Sequence, residues 1–364
     1  MAIADCRLKT PYREIETPGS KHIRKLAIGN RKLAIPVLPF LLDFEITVYP
    51  FRNILFPTDF KPHTREALKY AAAFAHGGGG RVVVFSVQSS KVPSDLLATS
   101  ETTAPTTEDG RVSQLRNDFK DVLTDPLFRG IEVEPVIVAG EPVPEIAKAA
   151  LNFGSDLVTV VSSRRKFTRA LWGSTAEEII AEAPCPVLMI RPQQREFVEQ
   201  VESRSELRLK RILLATNFRP SSSAATQVAT QLANQHFAEL HALYVIGDYF
   251  EQFSAMFPEG GLSALTRIRG FANEHLAKLA RGAGEGSITH IGEGRPYEEI
   301  VKLALAQEID LIVIGTGVHA SLFGGSPVLG SEIERVVRNA PCPVLCVPAS
   351  KVLTPLPAFV TQPV

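Results

Sequence analysis

Gly315, Thr316, Gly317, Gly330 and Ser331 are the residues whose types and spacing could do chemistry in this chain. They lie in Asp310 to Val347, DLIVIGTGVHASLFGGSPVLGSEIERVVRNAPCPVLCV, where a short apolar run ends in glycines and a Gly-Ser pair opens a helix-like segment at Glu332. Glycine, lacking a Cβ, lets a ligand approach the main chain. The unpaired amides at a helix start, together with the helix dipole, favour an anion such as phosphate. The chemistry implied is therefore non-covalent capture of a phosphate-bearing ligand. The plainer reading is that the glycines serve only a tight loop. Covalent chemistry has little support. The loop serines Ser321, Ser326 and Ser331 stand in no Gly-x-Ser-x-Gly elbow and beside no Walker A lysine, and His319 has no neighbour to orient it. The spacing predicts neither a hydrolase nor a kinase.

The elements that must position these residues are strands buried on both faces. Leu311-Ile312-Val313-Ile314 and Val344-Leu345-Cys346-Val347 are runs of that kind, separated by the helix break Ala340-Pro341-Cys342-Pro343. The same grammar stands about 157 residues upstream, in Asp156-Leu157-Val158-Thr159-Val160, Gly173-Ser174 and Ala183-Pro184-Cys185-Pro186. Duplication of a whole domain accounts for it. Each copy opens on a strand and a turn, ILFPTDF from Ile54 and ILLATNF from Ile212. The first copy continues with a helix over Thr64 to His76, strand Arg81 to Val87, a mobile loop from Lys91 to Gly110, helix Val112 to Leu123, strand Ile131 to Val138 and helix Val143 to Asn152. The second repeats the order: helix Ser221 to His236, strand Glu239 to Val245, helix Leu262 to Arg281, strand Ser287 to Ile291, helix Tyr297 to Glu308. Strands alternating with helices require right-handed crossovers and a parallel sheet covered on both faces, an α/β fold.

A chain of 364 residues, 45% of them hydrophobic, can build a core for each of two domains. Lys plus Arg (39) equals Asp plus Glu (39), so the chain lacks the basic footprint that general nucleic-acid binding needs. The four cysteines, Cys6, Cys185, Cys342 and Cys346, have no metal-ligand spacing and read as buried thiols of a reducing cytoplasm. The run LAIPVLPFLL from Leu33 contains Pro36 and Pro39 and is followed by Asp43 and Glu45, which makes it a poor signal sequence or membrane span. Residues 1–50 are expected as an N-terminal extension, 51–192 and 209–349 as the two domains, 193–208 as a polar linker and 350–364 as a tail.

With both copies laid out, the sequence resembles the universal stress protein family in its tandem form. The resemblance rests on ILFPTDF and ILLATNF, on Gly140-Glu141-Pro142 and Gly294-Arg295-Pro296, and on DLIVIGTG with Gly330-Ser331 and APCPVLCVP, in the same order in each copy where both retain them. It implies two open five-stranded parallel sheets of order 3-2-1-4-5, adenine-nucleotide-hydrolase-like, paired within the chain as a pseudo-dimer with Val187 to Ile190 beside Val344 to Val347. It also implies ATP or another adenine nucleotide, with Mg²⁺, as the candidate cofactor. The site would use an Asp after the first strand, a hydrophobic residue ending the second, and a loop of Gly, two residues, Gly, nine residues, Gly-Ser/Thr.

Carried over, the first copy keeps Pro57, Asp59, Val87, Gly173 and Ser174 but has Val161 and Arg164 at the first two loop glycines, with Leu171 and Trp172 expected to fill the space left. The second copy offers Ala215, Asn217, Val245, Ile314, Gly315, Thr316, Gly317, Gly330, Ser331 and Glu332. It departs from the pattern at Asn217, which replaces the Asp, at Val318, which replaces the second glycine, and in a longer spacing to Gly330. Each copy thus retains a different half of the site. The expected role is a cytoplasmic stress-response interaction protein, with an unidentified protein partner, a homodimer as a further assembly and at most slow ATP hydrolysis. The alternatives are a scaffold that binds no nucleotide and an ATP pyrophosphatase. No Ser-Gly-Gly-x-Asp-Ser loop follows either first strand to support the latter.

Overall fold

The computed structural model of the chain describes residues 51–62, 64–88, 109–161, 174–192, 194–201, 204–247, 258–284, 286–317 and 329–349. The expectations placed on the extension, the tail, most of the loop from Lys91, and on Arg164, Leu171, Trp172, Gly173, Val318, His319, Ser321 and Ser326 fall outside these residues.

The first repeat runs β1 (Asn53–Pro57), α1 (Arg65–Gly78), β2 (Arg81–Gln88), α2 (Asp109–Leu123), β3 (Glu132–Ala139), α3 (Pro142–Asn152), β4 (Leu157–Val161), α4 (Ser174–Glu182) and β5 (Val187–Ile190). A hairpin, β6 (Val198–Val201) and β7 (Arg204–Leu207), follows. The second repeat runs β8 (Arg211–Ala215), α5 (Pro220–His236), β9 (Glu239–Ile246), α6 (Pro258–Ala283), β10 (Ile288–Glu293), α7 (Pro296–Ala306), β11 (Leu311–Thr316), α8 (Ser331–Asn339) and β12 (Val344–Pro348).

The strands of both repeats form one sheet of ten, in the order β10-β9-β8-β11-β12-β5-β4-β1-β2-β3. Read from its outer edge, each half has the order 3-2-1-4-5, with parallel pairing throughout. The halves meet where β12 pairs antiparallel with β5, placing Val344, Leu345 and Cys346 opposite Met189, Leu188 and Val187. The fold class expected from the repeats and the strand-to-strand pairing implied by the resemblance are both present.

Side chains alternate across this sheet, so one core lies on each face and both run through the junction. Leu188 and Leu345 belong to one core, under α1 and α5. Val187, Val344 and Cys346 belong to the other, under α3, α4, α7 and α8. Each repeat ties its central strands together in the same way. The Asp156 carboxylate accepts the backbone N–H groups of Arg52 and Asn53, and that of Asp310 accepts those of Lys210 and Arg211.

Residues 193–208, expected as a plain polar linker, instead contain the β6–β7 hairpin. It packs on α1, in which Ala67, Leu68 and every residue from Tyr70 to Ala75 are buried, whereas α5 in the second repeat has an outer face of Thr226, Gln227, Thr230 and Gln231. The difference has a cause: Phe197 sits edge-on to Tyr70 (5.0 Å) and Phe74 (6.2 Å), apolar residues on the side of α1 turned from the sheet. Lys69 of α1 also pairs with Glu196 at 2.6 Å.

Candidate nucleotide crevice at the ends of β8 and β11

β8 and β11 are parallel neighbours, with Ala215 beside Ile314. From β8 the chain crosses to β9 on one side; from β11 it crosses to β12 on the other. An open α/β sheet forms its ligand crevice where connections diverge in this way, beyond the carboxyl ends of the strands.

The β8 side of the crevice is a tightly held turn. Thr216 is buried, and its N–H donates to the Leu243 carbonyl at 2.9 Å. Its hydroxyl accepts from the Phe218 N–H at 3.1 Å. Phe218 adopts φ 56°, the left-handed region, and its ring stacks on Tyr244 at 5.3 Å. Between them, exposed Asn217 accepts through Oδ1 from the Arg219 N–H (3.0 Å) and the Ser222 hydroxyl (2.8 Å). A backbone N–H can only donate, which identifies the bonded atom as oxygen. Asn217 therefore has its amide NH₂, a donor, to offer a ligand. Val245, half-buried near the end of β9, completes this side.

On the β11 side Ile314 is buried, while Gly315 and Gly317 are half-buried. Thr316 is only 1% exposed, yet its hydroxyl has no hydrogen-bond partner among the described residues. Leaving a buried hydroxyl unpaired costs about 1–3 kcal/mol. Gly330 is the N-cap of α8 with extended backbone, and among the described residues no side chain caps the amides of the first turn. Ser331 is exposed beside it. Glu332 is placed differently. Its carboxylate accepts from the Tyr297 N–H at the start of α7 (3.1 Å) and from Arg335 (3.4 Å), so it is engaged outside the crevice.

The equivalent place in the first half lies at β1 and β4. Pro57 ends β1, and Val87 lies one residue before the end of β2. Asp59 is exposed, accepting from the Lys61 N–H at 3.1 Å and pairing with the Lys61 ammonium at 2.6 Å. Val161 pairs with Ile190 as Gly315 pairs with Val347, so a branched side chain stands at the first loop glycine's position. Ser174 opens α4.

Two partners of the site were missed by sequence reasoning. Ser222 consumes the Asn217 oxygen, and Tyr244 holds Phe218. The run Asn217-Phe218-Arg219-Pro220 carries a usable signal for the first, since Asn two residues ahead of a helix-opening segment commonly bonds the backbone locally. Burial pushes the thiols of Cys342 and Cys346 up to about 12, which leaves them protonated and unreactive. Among the described residues, no group of three His, Cys, Asp or Glu could hold a metal ion, and no helix is long and apolar enough to cross a membrane.

The family model described as "Universal stress protein family" matches the chain twice, over residues 50–191 and 208–348. A universal stress protein of Methanocaldococcus jannaschii is 33% identical over 152 residues, covering 39% of this chain and 84% of the relative. A universal stress protein of Thermus aquaticus is 35% identical over 144 residues, covering 38% of this chain and 98% of the relative. The crystal structure of a universal stress protein from Archaeoglobus fulgidus aligns over 82% of this chain and 98% of its own, with a TM-score of 0.56 and 22% identity. That likeness concerns the fold.

Proposed function

The chain belongs to the universal stress protein family, and on that premise we propose that its second half, residues 209–349, binds an adenine nucleotide, ATP or a close relative, in the crevice between β8 and β11. Gly315, Thr316 and Gly317 would meet the ribose and phosphates. The amides at Gly330 and Ser331, with the Ser331 hydroxyl, would hold a phosphate at the helix start. Asn217 would donate its NH₂ to an acceptor such as an adenine ring nitrogen, with Ala215, Val245 and Ile314 as the apolar floor. Mg²⁺ would enter with the phosphates as part of the ligand. The observation that carries this reading is the buried hydroxyl of Thr316, which has no partner among the described residues, between two glycines at the mouth of the crevice. The first half, residues 51–192, would bind none, because Val161 occupies the position of Gly315. The role is nucleotide-dependent protein interaction in the cytoplasm during stress, with at most slow turnover.

Isothermal titration with ATP, ADP and AMP, with and without Mg²⁺, tests the proposal. One site per chain is expected, lost in Gly315→Val, a change whose counterpart Val161 is already accommodated in the first half. Wild-type protein that gives no heat with any of the three would sink the idea. The scaffold alternative keeps one observation on its side: the Asn217 oxygen and the Glu332 carboxylate are both satisfied without a ligand.

A further inference from the structure

We infer that the crevice of the second half holds a 6-oxopurine nucleotide, the base being hypoxanthine or guanine, more tightly than it holds ATP, and that Asn217 and Ser222 set this preference. The inference rests on the reading above, that a purine nucleotide lies between β8 and β11 with its base against Asn217, and concerns which base is favoured there. An asparagine pairs with adenine through both ends of its amide, the oxygen accepting from the 6-amino group and the NH₂ donating to N7. At Asn217 only one end is open. An amide oxygen has two acceptor sites. The Arg219 N–H fills one at 3.0 Å and the Ser222 hydroxyl the other at 2.8 Å. Ser222 is itself held: it is 5% exposed, its N–H donates to the Arg219 carbonyl at 2.8 Å and its carbonyl accepts from the Thr226 hydroxyl at 2.9 Å. Turning the amide over would set its NH₂ against the Arg219 N–H, donor against donor. The exposed side chain therefore presents a base with two hydrogens to donate and no acceptor.

Purines answer such a group differently. Adenine carries a donor, its 6-amino group, beside the acceptor N7, whereas a 6-oxopurine carries two adjacent acceptors, O6 and N7. Against a fixed NH₂ adenine can use N7 alone and brings its amino group up to another donor. A 6-oxopurine offers an acceptor at both places. The first half supplies the contrast, because the same turn there holds a carboxylate. Thr58 donates its N–H to the Phe85 carbonyl at 2.8 Å, as Thr216 does to that of Leu243. Phe60 is left-handed at φ 60°, as Phe218 is at 56°. Asp59 accepts the Lys61 N–H at 3.1 Å, as Asn217 accepts that of Arg219. A carboxylate has acceptor sites to spare and nothing to donate. Asn217 therefore does not weaken the reading that an aspartate gives in this turn; it reverses its sense, from seeking a donor on the base to seeking an acceptor.

Isothermal titration of the full chain with inosine triphosphate and with ATP tests this, since the two ligands share phosphates, ribose and N7 and differ at position 6 and the adjoining N1. The wild type is expected to bind inosine triphosphate about five- to tenfold more tightly than ATP. Asn217→Asp, which the turn should accept as it accepts Asp59, should reverse the order to favour ATP by about tenfold, because a carboxylate accepts from the 6-amino group and repels O6. Ser222→Ala reopens one acceptor site on the Asn217 oxygen and should narrow the wild-type preference to about twofold or less. Each readout is a ratio of two affinities on one protein, so a partial loss of folded chain affects both ligands alike. A wild type that binds ATP as tightly as inosine triphosphate, or a preference for the latter that persists in Asn217→Asp, would overturn the inference and leave the crevice standing. A wild type that binds neither overturns the crevice and the inference together.

Discussion

Asp156 and Asp310 occupy the same place in the two repeats, each accepting the backbone N–H groups that open the neighbouring central strand. For Asp156 burial outweighs those hydrogen bonds and raises the carboxyl from 3.8 to about 6. An acid whose pKa is higher folded than unfolded binds its proton more tightly in the native state. Its cost is absent below about pH 4, grows as the pH rises, and is complete above about pH 6. At about 1.4 kcal/mol per pKa unit the cost reaches roughly 3 kcal/mol. Asp156→Asn keeps one acceptor oxygen and cannot titrate. The wild type should therefore lose stability relative to this variant between about pH 4 and pH 6, read as a shrinking difference in urea midpoint at matched pH. A gap that stays constant over that interval would show that the buried carboxyl does not titrate as described.

At the scale of elements, the β6–β7 hairpin is what distinguishes the two halves. Phe197 is fully buried against Tyr70 and Phe74, so Phe197→Ala should cost about 3–5 kcal/mol in denaturant unfolding. A loss under about 1 kcal/mol would mean that the hairpin merely rests on α1. This element was not legible beforehand, because Phe197, Val198, Leu207 and Leu209 are thinly spread among charges and their burial depends on a helix more than a hundred residues earlier. The central strands were legible for the opposite reason. Ile54 to Phe56 and Leu311 to Ile314 are continuous apolar runs that only a sheet covered on both faces can bury. The crevice divides along the same line. The glycines and the Gly330-Ser331 helix start follow from local spacing, whereas the bond between Glu332 and the Tyr297 N–H spans 35 residues and no local pattern announces it.

At the scale of the whole molecule, the question is what makes two repeats one sheet. The β5–β12 ladder joins only three residue pairs, a short seam for ten strands. Side chains reinforce it. Arg338 of α8 donates to Glu177 of α4 at 2.9 and 3.0 Å, and the Arg191 guanidinium, just past β5, donates to the carbonyls of Arg338 and Ala340. The second contact supplies donors to the end of a helix in the other repeat, where carbonyls lack partners within the helix and a cation also suits the dipole. Charge-assisted bonds of this kind contribute about 1.5–3 kcal/mol. Arg191→Ala should therefore lower global stability by an amount of that order and, more tellingly, speed amide hydrogen exchange in β5 and β12 ahead of the outer strands β3 and β10. The latter pattern separates a seam from a general scaffold contact. If exchange rises equally across the sheet, the seam is held by the two continuous cores and Arg191 adds only an ordinary helix cap. If it rises first at the seam, the two repeats are coupled through their last strands and the residues that flank them, and a ligand in the β8–β11 crevice, one strand away from β12, would be positioned to bias that coupling.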